Sequence, residues 1–354
     1  MLHDPITEAT RQIEICNACR YCEGFCSVFP AMTRNKAFAA GEITHLANLW
    51  HNFRGCYYSC QYTEPHEFAL NLPAALAEVR VDSWERLIRP RAVARLFQTH
   101  GVAMAALGVV AVAFFLWALT ALRPQRGEGF YAHLAHGTMA AIFAPAFLAP
   151  LAAIGLALRD YWREVGGSRL TPVHLRAALG QAARLRNLSG GQGQGCNFED
   201  GDRHTDRRRV AHQLVMWGFL LCLASTYSGT IMHYLLDWPA PYPVWAPPKL
   251  LGVPGGLMMV AGAGWLVALK LRADPTLGAA RVWGGEMAFV LLLAVVAATG
   301  LALYAATGSA LVAPLLALHL ASVLVLFLLM PFSKMVHGFF RLTALLAEET
   351  KARS

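Results

Sequence analysis

Beyond residue 100 the chain is a succession of long apolar stretches broken by short polar segments. Six of them approach the roughly 20 apolar residues that a membrane-crossing helix needs: Gly101–Leu122, His136–Leu158, Ala211–Leu236, Gly252–Leu271, Met287–Ala306 and Ala310–Met330. The second contains Pro145 and Pro150, which membrane helices tolerate because neighbouring groups satisfy the freed backbone. Only Thr307, Gly308 and Ser309 separate the last two, which predicts a tight antiparallel hairpin. Residues 1–99 have a different texture. At 37–50 (AFAAGEITHLANLW) apolar residues recur three and four apart, the period of a helix, and no stretch alternates as a half-buried strand would. The pattern predicts an all-α chain: a helical N-terminal domain over 1–99, a six-helix membrane bundle over 100–345 with a long loop at 159–210, and a short tail at 346–354.

Composition agrees with two such parts. The 354 residues are 56% hydrophobic and 15% charged, where a soluble chain carries about a quarter charged residues. The net charge of +8 raises nucleic acid as a partner, but the arginines flank the apolar stretches and no aromatic-basic patch accompanies them. Their distribution orients the bundle. With the N-terminal domain inside, inner segments carry Arg80, Arg86, Arg89, Arg91 and Arg95, the arginines from Arg159 to Arg209, then Lys270, Arg272, Arg281, Lys334, Arg341, Lys351 and Arg353; outer loops carry only Arg123, Arg126 and Lys249. An even number of spans with both termini cytoplasmic fits this bias. The opening MLHDPITEAT lacks the basic stretch and apolar core of a signal peptide. The expectation is a multi-pass protein of the cytoplasmic (inner) membrane with its N-terminal domain in the cytoplasm.

Six of the eight cysteines lie in that domain. In a reducing compartment clustered cysteines hold metals or clusters more often than disulfides. Cys16, Cys19, Cys22 and Cys26 form a C-x2-C-x2-C-x3-C run. In two-cluster ferredoxins the first three thiolates of such a run serve one cubane and the last serves the other. Cys56-x3-Cys60 reads as the tail of a second copy, with Trp50 and Phe53 where its first two cysteines would stand. On that logic Cys16, Cys19, Cys22 and Cys60 ligate one [4Fe–4S] cluster, and Cys26 and Cys56 are an incomplete set for a second. Structural zinc, which takes two spaced pairs, and a disulfide framework are the alternatives. Short helices carrying the cysteine runs make this an α-helical ferredoxin-like domain.

Ionisable residues inside membrane spans are functional candidates. His212 and His233 stand near opposite ends of the third span, His319 within the sixth and His337 just past its end. The separation of 18 residues between His319 and His337 is five turns of an α-helix; if the helix continues past Pro331 they share a face. The 21 residues between His212 and His233 are six turns of a supercoiled helix. Since spans three and six run antiparallel, His212 would face His337 near the inner surface and His233 would face His319 toward the outer one. Two bis-histidine b-type haems follow, imidazole being a regular haem ligand. His133 and His136, opening span two, are rival ligands, and a snorkelling or interfacial residue is the alternative for each histidine alone. The inner segment NLSGGQGQGCNFEDG (187–201) lacks the Gly-Lys-Ser/Thr of a phosphate loop. Its composition reads as a flexible linker, with Cys196 and Phe198 as the residues by which it would cap the cysteine domain or dock a partner.

The run CNACRYCEGFC, the later CYYSC, the segment RNLSGGQGQGCNF and the LCLAST stretch of span three resemble the tricarballylate utilization protein B family, also called citrate utilization protein B, over nearly the whole chain. The resemblance implies a membrane partner that reoxidises a separate FAD-dependent tricarballylate dehydrogenase and passes electrons through iron–sulfur centres and haem to quinone. It assigns the cluster role to Cys16, Cys19, Cys22, Cys26, Cys56 and Cys60. The haem ligands rest on spacing alone. No G-x-G-x-x-G follows a strand, so no flavin is expected on this chain. Competing readings are a subunit of a heterodisulfide-reductase-like or respiratory reductase complex, and a zinc-bearing membrane sensor or scaffold.

Overall fold

The computed structural model describes residues 4–352 except 27, 36, 53, 122–131, 199, 200 and 202. Phe53, Leu122, Arg123, Arg126 and Arg353, which figured in the sequence expectations, lie outside the described residues. Among the described residues the fold is helical, with one isolated β-bridge, between Cys196 and Thr205.

The N-terminal domain comprises α1 (Pro5–Cys19), α2 (Phe29–Met32), α3 (Ala40–Leu49), α4 (Gly55–Tyr58) and α5 (Leu72–Leu87). Asp4 accepts a hydrogen bond from the Thr7 N–H and Pro5 opens α1, both regular helix-start devices. Asn71 caps α5 in the same way, through Ala74 N–H. The membrane part comprises α6 (Arg91–Ala121), α7 (His136–Glu164), α8 (Pro172–Arg184), α9 (Arg207–Leu235), α10 (Pro247–Arg272), α11 (Trp283–Ala305), α12 (Val312–Leu329) and α13 (Val336–Ala352). Among the described residues six helices are long and apolar enough to cross a membrane, and they match the six expected stretches. α7 runs unbroken through Pro145 and Pro150.

Spans α6, α9, α10, α11 and α12 share a core that includes Val109, Leu116, Val215, Met259, Phe289, Leu292, Ala321 and Val325. Small residues let helices close on each other, as apolar lipid gives no hydrophobic drive to do so. A Cβ on Gly218 would stand 2.7 Å from the Gly255 carbonyl oxygen, and one on Gly262 2.9 Å from that of Ala211, so α9 lies backbone to backbone on α10. α7 stands aside against α12, where Phe147 and Phe327 rings meet at 4.8 Å.

The N-terminal domain is not a separate body. Its core (Ile13, Phe29, Ile43, Trp50, Leu76, Trp84) runs on into Ile154 and Tyr161 of α7 and Phe340 and Leu345 of α13. The Tyr161 and Phe340 rings are 5.1 Å apart. Arg86 pairs with Glu164 at 2.6 Å and Arg34 with Glu348 at 2.5 Å. The N-terminal domain and the C-terminal helix therefore sit together at one end of the six spans, called here the domain side.

Three boundaries differ from expectation. The 99/100 boundary falls inside α6, at a kink where His100 leaves helical geometry (φ −114°, ψ 20°). Residues 346–352 are no loose tail but the end of α13, whose Ala344, Ala347 and Thr350 are buried. The sixth span does not continue past Pro331: Met330–Phe332 is a tight 3-10 turn, Ser333 is extended, and α13 begins anew at Val336. Pro331 has no N–H to extend the ladder, so the one-face relation of His319 and His337, conditional on an unbroken helix, does not hold.

Candidate functional site

Cys16 and Cys19 occupy the last turn of α1. Arg20 then turns left-handed (φ 55°) and donates its N–H to the Cys16 carbonyl at 2.9 Å, which swings the chain back so that Cys22 and Cys26 bracket the short turn Glu23–Phe25. Cys56 lies in α4, with Cys60 just after it. Gln61 Nε2 approaches Cys19 Sγ at 3.6 Å, tying the two runs together, and Tyr62 N–H donates to Cys60 Sγ at 3.4 Å within the second. All eight cysteines are free thiols, so no disulfide framework exists.

Five of these thiols share one electrostatic environment. Burial pushes Cys16 and Cys56 well up, Cys22 up to about 11, Cys26 up to about 12, and Cys60 up; charge on neighbouring sulfurs opposes ionisation further. A metal ligand must be the thiolate, so the set can ionise together only around concentrated positive charge, which iron in a cluster supplies. Among the described residues no three Cys, His, Asp or Glu side chains converge as ligands of one metal ion. A lone zinc needs its sulfurs about 2.3 Å from a single centre, whereas a cubane takes each thiolate at its own corner. The donor chemistry and gathering of these sulfurs fit a cluster.

The glycine-rich segment is docked, not a free linker. A Cβ on Gly191 would stand 2.1 Å from the Gly24 carbonyl oxygen, so only glycine allows this approach; the Gly191 N–H donates to Phe25 O at 3.2 Å. Cys196 exchanges backbone hydrogen bonds with Thr205 and is fully buried. The Phe198 ring receives the guanidiniums of Arg54 and Arg208 at 4.8 and 4.1 Å, and His204 stacks on Phe25. The segment thus caps the face formed by Phe25, Cys26, Gly55 and Cys56. Trp50, standing where a second copy would have its first cysteine, fills the core with no exposure.

On the domain side His212 of α9 and His337 of α13 come together, ring centres 5.8 Å apart and planes at 84°. The pairing expected for this side is the one found, reached from a separate helix after the Pro331 turn. Two imidazoles this close would offer two nitrogen donors to one iron. His337 Nδ1 hydrogen-bonds the Lys334 carbonyl. A carbonyl can only accept, so Nδ1 carries the proton and Nε2 keeps its lone pair, the usual preparation of a ligating imidazole. Burial, then His212, hold the His337 imidazole well below its ordinary value, in the neutral form that ligates. His212 Nδ1 is buried with no hydrogen-bond partner. These residues fit a haem iron.

Toward the far side the structure differs from expectation. His233 stacks on His136, the rival ligand at the start of α7, with ring centres 4.1 Å apart and planes at 22°, and Tyr234 Oη lies 3.2 Å from His136 Nδ1. His319 instead faces α11, its Nδ1 3.1 Å from Thr299 Oγ1, in space that Gly300 leaves open. The His233–His319 expectation assumed that spans three and six lie side by side, but α9 lies on α10 while α12 is packed by α6, α11 and α7. Face-to-face rings at 4.1 Å leave no room for iron between them. His133 sits in the turn before α7.

Sequence reasoning missed a set of charged residues beside the domain-side pair. Arg341 donates to the carbonyls of Leu49, at 2.9 Å, and Trp50 and contacts the His51 ring; Arg80 donates to Trp50 O at 3.2 Å, and Arg208 to Asn52 O. Glu286, in the first turn of α11, takes both Lys270 and, at 2.6 Å, Lys334. A carboxylate directly before an apolar stretch was the signal that could have found the latter.

No solved structure matches the chain. The family model "Citrate utilization protein B Fer4-like domain" matches residues 9–85, and the model "Citrate utilization protein B" matches residues 85–354. The citrate utilization protein B of Escherichia coli is 38% identical over 351 residues, covering 98% of this chain and 92% of the relative. Fer4-like cysteine domain, six apolar helices and full-length similarity together place this chain in the citrate utilization protein B family, as a membrane protein of iron–sulfur electron-transfer type.

Proposed function

We propose that this chain carries electrons from the reduced flavin of a separate FAD-dependent tricarballylate (tricarboxylate) dehydrogenase, at the cytoplasmic face of the inner membrane, to membrane quinone. The overall exchange balances: the flavin hydroquinone loses two electrons and two protons, and the quinone gains them. Cys16, Cys19, Cys22 and Cys60 would hold a [4Fe–4S] cluster, with Cys26 and Cys56 left toward a second, and His212 and His337 would hold a b-type haem. When bound, these groups supply one-electron carriers between two-electron reactants.

The observation that carries this reading is the seating of the histidine pair directly beneath the cysteine domain. Residues 49–52 lie between α3 and the Cys56 run. Arg341, on the same helix as His337, grips Leu49 and Trp50; Arg208, one turn before His212, grips Asn52. Each helix that carries a haem histidine is thus bonded to the segment that leads to Cys56, which fixes the two sites relative to each other.

Haem quantitation on His212→Ala, His337→Ala and the double variant tests it. Each single change should remove the same haem and the double change should remove no more, because both residues serve one iron. Undiminished haem in all three variants contradicts the assignment.

A further inference from the structure

The guanidiniums of Arg80 and Arg341 are half-buried on the domain side, Arg341 on the same helix as His337, and neither has a carboxylate within ion-pair distance among the described residues. Arg341 makes hydrogen bonds to Leu49 O and Trp50 O and meets His51; Arg80 bonds Trp50 O and lies over the Trp50 and Trp84 rings, each 5.6 Å from its Cζ. Arg80 Nε is buried and has no hydrogen-bond partner. The one carboxylate within this group of charges, Glu286, is shared by Lys270 and Lys334.

A bland account exists: the arginines cap the C-terminal carbonyls of α3, which carry the negative end of its dipole. That end amounts to about half an elementary charge, against two full positive charges whose removal from water is costly unless an anion pairs with them. Burial and the charges of Arg80 and Arg208 both oppose the charge on Arg341. Capping satisfies hydrogen bonds, and the nearby carboxylate, Glu286, which favours the charge on Arg80, is already paired with two lysines, so positive charge remains in excess. Arg341 is one helical turn beyond His337 on α13. Two donor sets therefore lie on the same side: two imidazoles suited to an iron, and two guanidiniums suited to carboxylates, for which arginine offers a fork of donors.

We propose that Arg80 and Arg341 form a half-buried guanidinium clamp for the two propionates of the haem held by His212 and His337. The proposal rests on the haem reading above and goes beyond it by assigning what orients the macrocycle. His212 and His337 would bind the iron, and the clamp would take the two carboxylates beside Leu49 and Trp50, whose carbonyls the arginines already bond. Both arginines act as positioning residues, since neither touches the iron.

The test is absorbance titration of the full chain, purified without haem in detergent, with protohaem and with protohaem dimethyl ester, whose propionates are esterified. The native chain should bind protohaem at least about tenfold more tightly than the ester, as loss of a charge-assisted hydrogen bond implies. Arg341→Gln or Arg80→Gln should bring that ratio close to one while the bis-imidazole spectrum of the bound ester persists, and Arg341→Lys should restore part of the preference. Equal binding of the two haems by the native chain overturns the clamp and leaves the histidine assignment standing. A native preference that both Gln variants keep also overturns it, as the propionates are then held elsewhere. Binding of neither haem overturns the haem reading together with the clamp. The native chain's ratio alone decides the first point if a variant fails to fold.

Discussion

Glu286 is the residue whose loss the structure prices most clearly. Its carboxylate joins α11 to Lys270 at the end of α10 and to Lys334 in the segment between α12 and α13. The three side chains are 18%, 17% and 27% exposed, so water reaches them poorly. Glu286→Gln keeps the shape and removes the charge, leaving two ammoniums facing each other with no anion. Breaking a buried ion pair costs about 3–5 kcal/mol; residual exposure of the lysines and the hydrogen-bonding amide lower this to about 2–4 kcal/mol. Because the Lys334 carbonyl holds His337 Nδ1, the damage should reach the haem site as well. Titration of the helical circular dichroism with a denaturing detergent should show an earlier transition, and haem should be lost before helix. Replacing Lys334 by Met in the same chain should cost less than the sum of the two changes, since one unpaired charge disappears. A transition within about 0.5 kcal/mol of the native chain, the range of an ordinary surface change, would refute the claim that this triad holds the domain side of the bundle.

Other consequences are as direct. Gly191→Val places atoms where the Gly24 carbonyl already stands 2.1 Å from a Cβ; overpacking of about 1–3 kcal/mol should release the glycine-rich cap, and limited proteolysis between residues 186 and 205 should become faster, an unchanged rate counting against docking. Burial holds His45 below its ordinary 6.5 beside Glu348. A depressed folded value means that stability is complete above 6.5 and is lost as pH falls through the folded value. Thermal unfolding midpoints should therefore fall between neutral pH and about pH 5, less so in His45→Gln, and an equal fall in both would contradict this. Reporter fusions at Gly195 and after Thr350 should report the cytoplasm and one at Pro247 the outer side; a cytoplasmic signal at Pro247 would remove the orientation.

The six spans and the helical cysteine domain were legible because each depends on local pattern: apolar length, arginine flanks and thiol spacing. Contacts between distant helices were legible only where an error of detail did not matter. His337 meets His212 although Pro331 breaks the helix that was to align it with His319, because the turn at Met330–Phe332 and the new helix α13 carry it back to the same end of the bundle. Near the far side no such compensation exists, and His136 takes the place given to His319. Span order around a bundle is set by packing seams such as Gly218–Gly255, and a one-dimensional reading does not see which helix will meet them. The glycine-rich segment misled for a related reason. Glycine marks flexibility by composition, but Gly191 is there for contact, since any side chain would strike Gly24. Arg80 and Arg341 were read as membrane-flanking charges; only their burial against residues 49–52 gives them another role.

The most direct test of electron transfer through this chain is the dithionite-reduced minus air-oxidised absorption spectrum of the purified protein. The account predicts a sharp α band of a low-spin bis-imidazole b haem, superimposed on broad bleaching from an iron–sulfur cluster that vanishes in Cys19→Ser while the α band stays. A colourless protein that gives no difference spectrum, with zinc bound and no acid-labile sulfide, would contradict it.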